Sequence, residues 1–242
     1  NDLTLTHVFA KVSNNIALTS QEGGIVINGW FDTDNNNQTY KGSSLMANTI
    51  LSMHAKKDIQ ITGSHLYGKE GLEGVSEGRI LIDSVLNRSF ESTRREWTEG
   101  RWWWKSKKKE ITTKETESLA DAGVFSDKNI MLMSSKGIVT SGALIEGDGS
   151  VLLLSEEDIV MNSVLGKVGS TVHRYSNEIF SGSSRHYGSE VITAYGSSIR
   201  SNGKATLQTK NSIISKGGHI NANEGIELKA NGSVTFDYEK GS

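Results

Sequence analysis

The feature that most limits how this chain folds is that it repeats itself. Residues 77–86 read EGRILIDSVL and residues 156–165 read EEDIVMNSVL, an offset of 79 with five identities and three conservative pairs. The same offset places Leu51 on Ile130, Met53 on Leu132, Ile59 on Ile138 and Leu72 on Val151. An offset of 75 places Val124 on Ile199, Leu132 on Leu207, Ile138 on Ile213, Val151 on Ile226 and Ile159 on Val234. A shorter period of 21 residues lies inside each copy, from Leu51 to Leu72, from Ile130 to Val151 and from Ala205 to Ile226. Pairs of such units alternate with extensions at about 88–117 and 167–196.

Each unit holds two or three short apolar runs, such as Ile59-Gln60-Ile61-Thr62 and Ile80-Leu81-Ile82-Asp83, closed by Gly, Asn, Asp or Ser. Those closing residues favour turns and tolerate positive φ, and no helical spacing is sustained. A unit this short holds one coil of a solenoid and falls below the roughly 30 residues of a βαβ unit. The pattern predicts an all-β fold, a right-handed parallel β-helix (β-solenoid), as a single repeat segment over 1–242. Leu51, Ile59, Leu72, Ile80, Ile130, Leu132, Ile138, Val151, Ile159, Leu207, Ile213 and Ile226 are its expected inward stacks. An antiparallel sandwich ranks second, because hairpins alone do not generate a 21-residue repeat. Proline, which cannot donate to a ladder, is absent from all 242 residues.

Composition narrows function. Cysteine is absent, which removes disulfides, thiolate nucleophiles and thiolate metal sites together. A membrane-spanning helix takes about 20 apolar residues, and the longest aliphatic run near the middle is Val151-Leu152-Leu153-Leu154. Residues 1–6 carry no signal-peptide pattern and no initiator Met, which predicts a piece of a longer chain. Net charge is −2, so the chain as a whole is not built to grip nucleic acid.

With its coils and extensions read, the sequence resembles the second haemagglutinin-type repeat block of filamentous-haemagglutinin-like and contact-dependent growth inhibition exoproteins, the large partners of two-partner secretion. The resemblance rests on Thr49-Ile50-Leu51-Ser52-Met53-His54-Ala55-Lys56-Lys57-Asp58-Ile59-Gln60-Ile61-Thr62-Gly63-Ser64-His65-Leu66, on a second copy over 150–165, and on the extensions 90–117 and Thr171-Val172-His173-Arg174-Tyr175 onward. It covers about 14–236. Trp102-Trp103-Trp104 and the Asp/Asn-rich stretch 32–37 depart from the pattern. The resemblance implies a secreted, surface-displayed parent of a Gram-negative bacterium. It implies two partners, the outer-membrane transporter barrel of the secreting cell and the target-cell outer membrane with its lipid or glycan. In growth-inhibition effectors this block helps pass a C-terminal toxin into the target cell; that toxin is not in this chain. No cofactor is implied.

The most unusual segment gathers Arg94, Arg95, Trp97, Arg101, Trp102, Trp103, Trp104, Lys105, Lys107, Lys108 and Lys109 against Glu96 and Glu99. Two readings stand. Trp beside Lys and Arg suits a membrane interface or an anionic glycan or lipid head group; alternatively the tryptophans pack on the solenoid flank while the lysines stay solvated. Nucleic acid is disfavoured, since the basic footprint is confined to one loop. Asp32-Thr33-Asp34-Asn35-Asn36-Asn37 opens like a calcium loop but has Asn37 for the glycine and Ser43 for the bidentate glutamate, so it reads as a polar turn. The histidines form no HxxxH or HExxH pair and read as isolated surface residues. Glu156, Glu157 and Asp158 sit at a repeat position, and chemistry needs a unique, sheltered one. The expected function is a non-catalytic segment in contact-dependent toxin delivery, with a glycan- or lipid-binding adhesin as the second reading and a polysaccharide-active β-helix enzyme as a remote third.

Overall fold

The protein is described from a computed structural model that covers residues 1–100, 105–177 and 182–237. Among them there is no helix. Three parallel sheets wind around one axis, and the chain visits them in turn as faces A, B and C. A complete coil is Ser44–Ala47 on face B, Ile50–Ala55 on face C and Ile59–Thr62 on face A. The next is His65–Gly68, Gly71–Ser76 and Ile80–Asp83. Faces B and C each hold seven strands. The parallel β-helix is therefore the architecture, and every face ladder is parallel.

The registers join the sequence offsets into stacks. On face C, Ile16, Leu51, Leu72, Ile130, Val151, Ala205 and Ile226 lie successively over one another. On face A the column runs Ile25, Ile59, Ile80, Ile138, Ile159 and Ile213. Leu51, Ile59, Leu72, Ile80, Ile130, Leu132, Ile138, Val151, Ile159, Leu207 and Ile213 are all 2% exposed or less. Ile226 departs from the expected inward stack. It lies over Ala205 but is 48% exposed, because no described strand covers the other side of Gly225–Ala230. Outward residues alternate with these. Glu227 accepts from both Lys204 and Lys229 at 2.8 Å, and these bonds hold its carboxyl down at about 2.

The corners are built from buried serines that satisfy turning backbone. Where face C passes to face A, Ser76 Oγ donates to Lys57 O (2.6 Å) and Ser134 Oγ to Gly78 O (2.7 Å). Where face A passes to face B, Ser43 N donates to Ser64 Oγ (2.9 Å) and Ala122 N to Ser84 Oγ (2.8 Å). This second corner comes in two forms. In alternate coils a glycine in the left-handed region turns it in one step: Gly63 (φ 48°), Gly142 (φ 60°) and Gly217 (φ 73°). In the coils between, a hairpin leaves there and returns.

The antiparallel strands of these hairpins are confined to the extensions, and the hairpin at residues 30–41 adds a third extension to the two expected. The first hairpin, Trp30–Asp34 and Asn37–Lys41, turns on Asn35 (φ 46°) and Asn36 (φ 72°), as a two-residue loop with positive φ at both positions does. The second, Val85–Glu99 with Ser106–Ala120, pairs over all fifteen residues and is wider than the expected 88–117. The third runs from Ser163 paired to Gly196 up to Asn177 paired to Gly182, starting before the expected residue 167. Val85, Leu86, Val164 and Leu165 have strand-forming side chains, so each ladder begins directly at the corner.

Candidate functional site

The hairpins leave the same corner and pair with one another, which gives the solenoid an antiparallel fin along one edge. Gln38 of the first hairpin meets Arg88 of the second. Lys107–Thr116 of the second pair with Asn177–Val168 of the third over ten residues. At about 3.4 Å per residue a fifteen-residue strand is about 50 Å long.

Near the root, side chains stitch the hairpins together. Asn37 Oδ1 accepts from Phe90 N (2.7 Å), and Asn87 Oδ1 from Tyr40 N (2.6 Å). Glu117, 8% exposed, is the buried carboxylate among the described residues. Its Oε1 accepts from Arg88 Nη2 (2.9 Å) and its Oε2 from Lys167 N (3.0 Å), so one side chain joins three strands. The Arg88 hydrogen bond, helped by the Lys167 amide, outweighs burial and holds the carboxyl below its ordinary range. Sequence reasoning missed Glu117, because nothing in a run of Lys, Thr and Glu marks which Glu the root encloses.

Toward the tip the fin is solvated on both sides. Residues 91–99 are exposed at both alternating sets, so Trp97, 39% exposed, does not pack on the solenoid flank. Cross-strand pairing brings Glu96 opposite Lys109 and Tyr175, Trp97 opposite Lys108 and Ser176, and Arg95 opposite Glu110 and Arg174. Arg94 pairs with Glu96 and Lys108 with Glu99. Arg174 Nε donates to Glu110 Oε2 at 2.6 Å, and Lys109 Nζ lies 5.9 Å from the Tyr175 ring centre. Arg95, Lys105 and Lys107 form no ion pair among the described residues. Glu96, Trp97, Thr98, Lys107, Lys108, Lys109 and Tyr175 line a cleft of about 600 Å³.

The structure thus brings Arg94, Arg95, Trp97, Lys105, Lys107, Lys108 and Lys109 to one end of the fin and adds Tyr175, which the sequence reading did not place there. Arg101, Trp102, Trp103 and Trp104 lie outside the described residues. Six cations and two glutamates among the described residues 94–109 make this end locally basic in a chain of net charge −2.

Residues 10–98 match the Hemagglutinin repeat family. No curated protein and no solved structure matches the chain. The hemagglutinin-repeat stretch takes in the first three coils, the first hairpin and nearly all of the rising strand of the second. Over those residues it supports the filamentous-haemagglutinin-like resemblance.

The other candidates resolve as parts of the scaffold. Asp158 Oδ1 accepts from Ser212 N (2.9 Å), as Asp58 Oδ1 accepts from Arg79 N (2.8 Å), and Glu156 pairs with Lys210 at 2.6 Å. These are repeated corner contacts. No group of three or more His, Asp or Glu side chains that could hold a metal ion occurs among the described residues. The histidines are not all isolated, however: His173 and His186 lie side by side on the third hairpin. No helix of the described residues is long and apolar enough to cross a membrane.

Proposed function

We propose that this chain is a non-catalytic β-helical segment of a secreted cell-surface exoprotein, exported through an outer-membrane transporter barrel, and that its fin meets the target-cell outer membrane during contact-dependent toxin delivery. The family match over residues 10–98 supports the secreted, adhesin-like part of this reading. One observation supports the rest: the basic, aromatic end of the fin stands at the far end of strands about 50 Å long, away from the coils that form the stalk. An anionic surface attracts each nearby Lys or Arg by about 1 kcal/mol, and Trp and Tyr settle at its interface.

The test is co-sedimentation with vesicles of zwitterionic lipid, with and without anionic lipid. Replacing Lys107 and Lys109 by Ser removes about 2 kcal/mol of attraction, roughly a thirtyfold loss of binding to anionic vesicles, and Trp97→Ser weakens it further. Binding that ignores anionic lipid, salt and these substitutions refutes the membrane reading. The cleft beside Tyr175, lined also by Glu96, Thr98, Lys107 and Lys109, favours a second reading, an adhesin for surface glycan. Competition by soluble anionic oligosaccharide, with no vesicle binding, selects it.

A further inference from the structure

We infer that His173 and His186 form a two-imidazole site for a divalent transition-metal ion, with Cu²⁺ the preferred occupant. The two residues face each other across the third hairpin, where the backbone ladder is continuous from Ser163–Gly196 to Asn177–Gly182. Directly opposed residues hold their Cβ atoms about 4.5–5.5 Å apart, and here the ring centres are 4.2 Å apart with planes inclined by 58°. His186 Nδ1 lies 3.1 Å from both Nδ1 and Nε2 of His173. Two nitrogens each bound at about 2.0–2.1 Å to one metal ion are about 2.9 Å apart at a right angle and about 3.3 Å apart at the tetrahedral angle. The observed separation falls between those limits. Its equality to both nitrogens places His186 Nδ1 on the plane that bisects the two nitrogens of His173, so a turn of the His173 ring about Cβ–Cγ is what brings one of its lone pairs to a shared ion.

The surroundings select the class of ion. Neutral imidazoles suit Cu, Ni and Zn, whereas Ca²⁺ and Mg²⁺ need oxygen ligands, and affinity for nitrogen sites peaks at Cu²⁺. Tyr175 stacks on His173 at 6.4 Å and 14°, and Ile111 pairs with His173 from the neighbouring strand, so the ring is flanked on two sides. His186 is exposed, which leaves the outward coordination positions to water. The ladder holds both ligands near each other before the ion arrives, so the second imidazole binds as an intramolecular step. The site borders the cleft described above through Tyr175, but its two ligands lie outside that cleft, so its test does not depend on the lipid or glycan contact.

The experiment is a Cu²⁺ titration of the whole chain near neutral pH, followed by calorimetry and by electron paramagnetic resonance. One site with coupling to two nitrogens is expected. His186→Asn and His173→Ala each weaken it by roughly tenfold or more and leave coupling to one nitrogen, while His219→Ala, on the last face-B strand, changes nothing. Acidification releases the ion, because protons compete for both nitrogens. Unchanged affinity and spectrum in His186→Asn, or displacement of Cu²⁺ by excess Ca²⁺, overturns the assignment. Circular dichroism of each variant separates loss of the ligand from loss of the fold.

Discussion

Ile80 gives the most direct test of the stacked core. It lies between Ile59 and Ile138 with no exposure. Ile80→Ala removes about three methylene equivalents, near 2.4 kcal/mol of transfer free energy at about 0.8 each. The cavity term adds to this when the surroundings fail to collapse fully. The nearby inward position on face C is Gly74, whose Cβ position is 4.0 Å from Ile80 Cδ1. Leu132 Cδ2 and Met53 Cε already fill the space at that position, 2.9 and 3.5 Å from it, and can relax into only part of the new cavity, so a loss of about 3–4 kcal/mol is expected, inside the about 2–5 kcal/mol range for such truncations. Ile226→Ala is the control. Ile226 is 48% exposed, so about half of the roughly 1.5–3 kcal/mol of full burial is at stake, near 1 kcal/mol. Urea unfolding with hydrogen exchange read coil by coil measures both. A cost at Ile80 below about 1.5 kcal/mol, or no larger than at Ile226, refutes the stacking argument.

Three further outcomes follow from single groups. Thr140 sits in the inward column between Ile82 and Met161, and its Oγ1 is buried without a hydrogen-bond partner; Thr140→Val should stabilise the fold by roughly 1–2 kcal/mol, read as a higher urea midpoint. Gly142→Ala forces a side chain into a φ of 60° and places its Cβ 3.1 Å from Val164 Cγ2, so it should cost about 1–2 kcal/mol in the same assay. Glu117 is depressed in the folded state, so its contribution is complete above the ordinary carboxylate range and is lost as pH falls through the lowered folded value. Exchange protection at the fin root should therefore weaken in acid, and Glu117→Gln should abolish that pH dependence.

The coils were legible because each inward position recurs at a fixed interval and burial enforces it. Leu51, Ile130 and Val151 are apolar for the same reason, and the reason shows in the sequence. The fin was less legible. Residues 91–99 face water at both alternating sets, so no apolar face marks them as strand, and Thr, Ser, Lys and Glu fit either loop or exposed ladder. In sequence the first hairpin reads as a polar turn at 32–37, because its strands are five residues each and Asn35-Asn36 dominates the signal. The approach of Tyr175 to Lys109, and of His186 to His173, depends on hairpin register, which no local pattern states. Ile226 takes a core position from its place in the repeat alone, and repeat position says nothing about whether a neighbouring coil covers it.

The alternation of two coils with one hairpin has a geometric origin that can be tested. Stacked coils and paired strands share one spacing, about 4.8 Å. A hairpin is two strands wide, about 9.6 Å, which equals the rise of two coils. One hairpin every second coil therefore fills the fin without gap or overlap, and the coils between turn the corner on Gly63, Gly142 and Gly217. Deleting residues 138–158 removes one 21-residue coil and sets Ile159 over Ile80, so the parallel stack can close with its columns intact. The second and third hairpins would then be offset by one strand spacing where two are needed. The ladder between Lys107–Thr116 and Val168–Asn177 should be lost while the coils remain folded. Hydrogen exchange at residues 107–116 should rise to that of an unpaired edge, with protection at Leu72 and Leu132 retained. Persistent protection at 107–116 would show that something other than matched widths sets the alternation.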